Sequence, residues 1–415
     1  MTPAKMTPAK VSNSAFKDLS SSGTGPQPNL SRATELVLAL MEIPGASGGE
    51  QQVADYIRRR LRRAGGNLKL LESDQAHQRT RLKGQIGNLV FRVKGNARSP
   101  RRMLVAHMDT VPICLNAQPL LKGNRIASKD PRGGLGADDR AGVAVLLNTA
   151  LEILEKKLPS PPLTFLWSVQ EEVGLQGVRH AALRMLHKPQ LAFNFDGGSP
   201  EKLTIGATGG YRMQIKITGL ASHAGGAPEK GVSAIAIAGL AIADLQQRGW
   251  HGQIIKGRQR GTSNIGFIHG GTATNVVADS VELKVEARSY SGSVRNKIVD
   301  QIKASFLRAA KEVVSEHGDT GSVAFTGQTD YESFRLLQSE PCVKVAKSAV
   351  RAVGGEPVPF FSAGGLDANW LTARGIPTVT LGCGQLYQHT CREQLDLPWF
   401  HEACKIALYL ATAQS

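Results

Sequence analysis

Leu163-Thr164-Phe165-Leu166-Trp167-Ser168-Val169-Gln170-Glu171-Glu172 runs from a strand-length apolar stretch straight onto two adjacent carboxylates. Burying two such acids at a strand end is costly unless cations offset their repulsion. Gly174 and Gly177 follow and allow the chain to turn sharply there. A buried strand that ends in acids is the pattern of a sheet with its site at the strand ends. The segment therefore predicts an α/β fold whose chemistry sits on one edge of the sheet.

Working outward, further strand-like runs lie at Leu68–Leu71, Asn88–Val93, Met103–Ala106 and Leu191–Phe195. Helical patterns alternate with them. Asn29 offers a cap for a helix to about Met41, a second helix after Ser47 carries Val53, Ile57 and Leu61 on one face, and Ala141–Leu154 forms a third. This alternation predicts a mixed sheet flanked by helices. From about Gly209 the texture changes. Strands Tyr211–Ile217, Ser263–His269, Ser280–Arg288 and Ser322–Thr326, with helices Glu229–Leu245 and Val294–Glu316, give the order βαββαβ, a ferredoxin-like α+β unit. The first texture then resumes, with a helix at Cys342–Val353, a strand at Thr378–Leu381 and a closing helix at Trp399–Thr412. The expected organisation is a flexible tail over 1–28, one domain from 29–208 plus 328–415, and an inserted domain over 209–327.

The bulk properties exclude several classes. Hydrophobic residues make up 41% of 415, enough for a core and too many for global disorder. No apolar run is long enough to span a bilayer, and the polar N-terminus lacks the apolar stretch of a leader. Five cysteines, none in a CxxC pair, suit a reducing cytoplasm better than a disulfide framework. The formal net charge of +16 is scattered, and few aromatics interleave with the basic residues, which argues against nucleic acid as a partner.

The chemistry lies in five separated segments that pass through His107, Asp138, Glu172, Asp196 and His389. His107 and Asp109 stand two apart in an extended chain and point the same way, as a metal-ligating imidazole and its orienting carboxylate do. Asp138 precedes a helix, where a carboxylate bridges two metals or caps the helix. Of Glu171 and Glu172, one suits a metal ligand while the other faces the cleft as a general base; Asp196 ends an apolar strand before two glycines. His107 with Asp196 then holds one ion, Glu172 with His389 another, and Asp138 joins them. Mixed nitrogen and oxygen ligation of two divalent ions suits zinc, with manganese or cobalt as alternatives.

These residues fall in motifs that resemble the M20 metallopeptidases, in their peptidase T-like branch: 106–111 (Ala-His-Met-Asp-Thr-Val), 136–142, 170–174, Ser222-His223-Ala224-Gly225, 274–277 and 364–369. The resemblance covers nearly all of the chain after the tail. It implies a zinc-exopeptidase-like catalytic domain, an inserted lid that also dimerises, and a cis peptide between Asp138 and Asp139. It also implies His107, Asp138, Glu172, Asp196 and His389 as metal ligands, Asp109 as orienter and Glu171 as general base. In the lid it implies His223 as a residue reaching the partner subunit's site, and Asn275 and Arg288 as substrate contacts. Arg140 stands where the family more often has Lys. The function so implied is a two-metal aminopeptidase acting on short, tripeptide-like substrates, as a cytoplasmic homodimer. An amidohydrolase acting on N-acyl or carbamoyl amino acids is the alternative, and a non-catalytic binding protein a third.

Overall fold

A computed structural model describes residues 26–413 of the chain. Most of the expected tail, residues 1–25, lies outside the described residues. The larger sheet runs Leu71–Ser73, Leu89–Val93, Leu163–Ser168, Arg102–His107, Leu191–Phe195, Thr378–Leu381, Lys202–Ala207 and Phe334–Arg335, with Val358–Ser362 also paired to Lys202–Ala207. Its centre is parallel: Arg102–His107 pairs Leu163–Ser168 on one side and Leu191–Phe195 on the other, and Thr378–Leu381 extends this set. Leu89–Val93 joins Leu163–Ser168, and Lys202–Ala207 joins Thr378–Leu381, in antiparallel pairing, so the sheet is mixed.

Alternate residues of these strands feed two separate cores. Leu104, Ala106, Phe165, Trp167, Phe193 and Phe195 pack beneath helices Leu30–Met41, Gln51–Arg63, Ala137–Lys156, Pro341–Ala352 and Leu397–Thr412. Met103, Val105, Leu166 and Ala192 pack on the opposite face against Val178 and Leu371. Burial on both faces explains why the strands read as continuous apolar runs. Each large side chain so buried contributes roughly 1.5–3 kcal/mol. The parallel arrangement also fixes the site, because His107, Glu171 and Asp196 all stand at the carboxyl ends of neighbouring strands.

A second, antiparallel sheet has the order Gly252–Lys256, Gln259–Gly270, Ser280–Ser289, Gly209–Thr218, Ser322–Tyr331. Helices Ala234–Gln247 and Gly292–Glu312 cover one face, over a core that includes Ile215, Ile217, Leu283, Ile298 and Phe306. The intervening residues Arg212, Gln214, Glu282 and Lys284 are exposed on the other face. The chain passes between the sheets at 208–209 and 332–333. One buried side chain holds both crossings: Asn369 Nδ2 donates to the carbonyls of Thr208 (3.0 Å) and Glu332 (2.6 Å).

Several sequence expectations need correction. The second unit has an additional strand, Gly252–Lys256, joined to its partner through Gly257-Arg258, with Gly257 at φ +60°. Only Ile254 of that strand is buried, so no apolar run announced it. The strand expected at Leu68–Leu71 is a 3-10 turn over Leu68–Leu70, because the Asn67 side chain accepts the Lys69 N–H, and the strand is Leu71–Ser73. The helix expected from Glu229 starts at Ala234, where Ser233 caps the Ala236 N–H. The helix expected to reach Glu316 ends at Glu312.

Candidate metal centre

Two imidazoles and a set of carboxylates converge at the strand ends. His107 is buried at the end of its strand. Its Nδ1 lies 3.1 Å from the Asp109 carbonyl and 3.5 Å from Asp109 Oδ1, and its Nε2 lies 3.1 Å from Asp138 Oδ1. The other Asp138 oxygen is 3.2 Å from His389 Nε2, which is also 3.0 Å from Glu172. Asp138 thus stands between the two imidazoles. Ligand atoms of His107, Asp138 and Asp196 lie within 4.8 Å of one another, as do those of Asp138, Glu172 and His389, and those of His107, Glu171 and Glu172.

Asp109 does more than face an imidazole. Its fully buried carboxylate accepts Ser47 Oγ at 2.6 Å and the backbone N–H groups of Glu171 (3.0 Å) and Glu172 (3.1 Å). Burial works against its charge, but His107, Ser47 and the Glu171 N–H outweigh that and hold it below the ordinary carboxylate range. One side chain therefore positions both His107 and the acid pair.

The remaining electrostatics call for positive charge. Burial, then like charge from Asp367, Glu172 and Asp196, pushes Glu171 well above the carboxylate range. Burial and the Asp138 charge push Asp196 up to about 7. Among the described residues no hydrogen-bond donor or ion-pair partner reaches the carboxylate of either. Half-buried acids without donors, beside two imidazoles, fit a pair of divalent cations with mixed nitrogen and oxygen ligands. His389 is pushed up to about 10 by its contacts with Asp138 and Glu172 and is exposed, in a turn with positive φ, +62°.

Sequence reasoning left several supporting residues without a role. Glu393 is buried and accepts the backbone N–H groups of Leu135 (2.9 Å), Gly136 (2.7 Å) and Asp138 (3.0 Å), which holds the loop that presents Asp138. The Asp138–Asp139 peptide is cis. Asp139 turns away from the cluster to accept His107 N–H, Gly142 N–H and Gln385 Nε2. Arg140 is buried and donates to the Ile43 and Gly45 carbonyls, in the segment that carries Ser47. Asp367 lies buried beside Ser168, with one oxygen unpartnered. Asp367 sat inside the 364–369 motif, whereas nothing local in the sequence gave Glu393 or Gln385 a role.

The lid candidates stand apart from this cluster; among the described residues no hydrogen bond or ion pair joins them to it. His223 is exposed, and its Nδ1 accepts the Gly225 and Gly226 N–H groups at 3.2 and 2.9 Å, which leaves the proton on Nε2. Asn275 is exposed, and its carbonyl accepts Ala224 N–H at 2.9 Å, so it shares the His223 turn. The Arg288 guanidinium is engaged at two nitrogens by Glu286, both at 3.0 Å.

Residues 205–314 match the M20 model for a peptidase dimerisation domain, and residues 88–227 match the peptidase family M28 model. The chain is 30% identical to the Bacillus subtilis protein YqjE over 89% of its own length and 94% of that protein. It is similar to the crystal structure of a tripeptidase from Staphylococcus aureus, with 30% identity, a TM-score of 0.84, and coverage of 93% of this chain and 99% of that one. It is also similar to aminopeptidase PepT from Bacillus cereus, with 28% identity, a TM-score of 0.82, and coverage of 93% and 98%.

Proposed function

Because this chain belongs to the M20 family of peptidases, we propose that it is an aminopeptidase that hydrolyses short, tripeptide-like substrates at a two-metal centre. The observation that carries the reading is the half-buried, undonated Glu171 carboxylate beside Glu172 and the two imidazoles. The similarity to a tripeptidase and to an aminopeptidase supports the substrate class. His107 and Asp196 would hold one ion, Glu172 and His389 the other, and Asp138 both, with zinc the first choice for this donor set. Bound there, such ions supply Lewis acidity toward an amide carbonyl and a water.

The chain's own groups do the proton work. Glu171 Oε takes the proton from the attacking water and returns it to the leaving amine. A raised proton affinity, caused by burial and neighbouring acids, suits a group that must both accept and donate near neutral pH. Asp109 keeps the His107 ring oriented and, through the Glu171 and Glu172 N–H groups, fixes the base relative to its neighbour. His223 carries its proton on Nε2 and donates it toward the developing oxyanion of the partner subunit's site, in a homodimer formed through the 209–327 lid. Asn275, in the same turn, contacts substrate, and Arg288 does so through the guanidinium nitrogen that Glu286 does not hold. The domain organisation of 29–208 plus 328–415 around the lid, and a cytoplasmic location, belong to the same reading.

The test is metal content and tripeptide turnover of the purified protein beside Glu171→Ala. Two metals per chain, with turnover lost and metal kept in the variant, is the expected result. Metal without any peptide turnover, together with hydrolysis of N-acyl amino acids, would replace this reading with the amidohydrolase one.

A further inference from the structure

A cavity of about 750 Å³ lies between the open face of the second sheet and the metal-bearing half of the molecule. Gln170 and Val173, the residues on either side of the Glu171-Glu172 pair, line one wall. Leu82, Val173 and Phe267 give it an apolar, partly exposed surface. Its charges are unequal. Arg81, Arg212 and Lys284 line it together with two acids, Glu286 and Asp330. Both acids are already matched: Asp330 pairs with Arg212 at 3.0 Å, and Glu286 pairs with Arg288 at 3.0 Å. Arg81 and Lys284 are left over, and among the described residues neither has a carboxylate within ion-pairing distance. Lys284 rests with its Nζ 4.9 Å from the centre of the Phe267 ring. An aromatic face steadies an ammonium but does not neutralise it.

We propose that this cavity is a carboxylate-accepting subsite for the substrate peptide, with Lys284 as the specificity-determining residue. The proposal rests on the peptidase reading and deepens it. A peptide whose reacting bond lies over Glu171 extends past Gln170 or Val173 into the cavity. Its uncharged atoms lie along Leu82, Val173 and Phe267. A carboxylate on it meets Lys284 and Arg81, the two cations with no internal partner. A cationic group meets the same two charges and is rejected. The carboxylate comes either from an acidic side chain or from the peptide's own C-terminus, and both present the same chemistry to the ammonium.

The test is calorimetric binding of five tripeptides, Ala-Ala-Lys amide among them, to zinc-loaded Glu171→Ala protein, which keeps peptides uncleaved. Ala-Ala-Ala is compared with its C-terminal amide, and the amides of Ala-Ala-Glu and Ala-Ala-Gln are compared with each other. The carboxylate-bearing member of one pair should bind about fivefold to tenfold more tightly. The pair that shows the preference identifies the source of the carboxylate. Adding Lys284→Met should abolish that preference, and adding Lys284→Glu should reverse it in favour of Ala-Ala-Lys amide. Because each preference is a ratio within one variant, loss of folding cannot imitate it. No preference in either pair, or one unmoved by both Lys284 substitutions, would overturn the subsite. Wild-type turnover of Ala-Ala-Ala is read separately, so failure of the peptidase reading is distinguishable from failure of this one.

Discussion

Replacing Glu393 by Ala should both destabilise the protein and loosen its hold on metal, although Glu393 is not among the proposed ligands. The carboxylate accepts three backbone N–H groups, from Leu135, Gly136 and Asp138. Truncation leaves all three buried donors without an acceptor. At about 1–1.5 kcal/mol each, the loss is roughly 3–5 kcal/mol. Part of it is offset, because Glu393 is itself a buried acid, raised above its ordinary range by burial and the nearby Asp138 charge. A net loss of about 2–4 kcal/mol remains once that desolvation is relieved. The same truncation frees the loop that aims Asp138, so zinc affinity should fall about tenfold to a hundredfold. Urea unfolding of the metal-free protein reads the first effect, and competition with a zinc chelator reads the second. Glu393→Gln, which keeps one carbonyl acceptor, should fall between wild type and Glu393→Ala in both. Wild-type unfolding and wild-type zinc affinity in Glu393→Ala would refute the argument that this side chain builds the Asp138 loop.

Three further outcomes follow from the same structure. Glu50 is buried near Asp109, and burial followed by that charge pushes its carboxyl up to about 7 from 4.5; a raised folded-state value means the stability it confers is complete below pH 4.5 and lost as pH rises through 7, so Glu50→Gln should unfold at higher urea than wild type at pH 8, by an order of 2 kcal/mol, and show no such gain at pH 4. Chelation should lower thermal stability more at pH 8 than at pH 5, since Asp196 is pushed up to about 7 and is uncharged at the lower pH in the stripped protein; equal losses at the two pH values would contradict the repulsion argument. Asn369→Leu leaves the Thr208 and Glu332 carbonyls without their donor and should cost about 2–3 kcal/mol in urea unfolding, with a change in small-angle scattering if the two crossings separate.

The sequence by itself determined the residues that converge. His107, Glu171 and Asp196 follow apolar runs buried on both faces, and such runs are legible because every position along them must exclude water. The strands Leu163–Ser168, Leu191–Phe195 and Thr378–Leu381 were readable to the residue for that reason. Alternation on one face likewise marked Gly209–Thr218 and Ser280–Ser289 in outline. The strand Gly252–Lys256 was not readable, because an edge strand with one buried side chain carries too little apolar pattern. Tertiary structure alone decided which distant groups support the candidate ligands. Glu393 reaches Asp138 across 255 positions, and Gln385 reaches Asp139 across 246. A hydrogen bond acts over about 3 Å of space and leaves no trace in local pattern. The same holds for Lys284, which reads as one more exposed cation on an alternating strand until the pairing of Arg212 with Asp330 and of Arg288 with Glu286 leaves it without a partner.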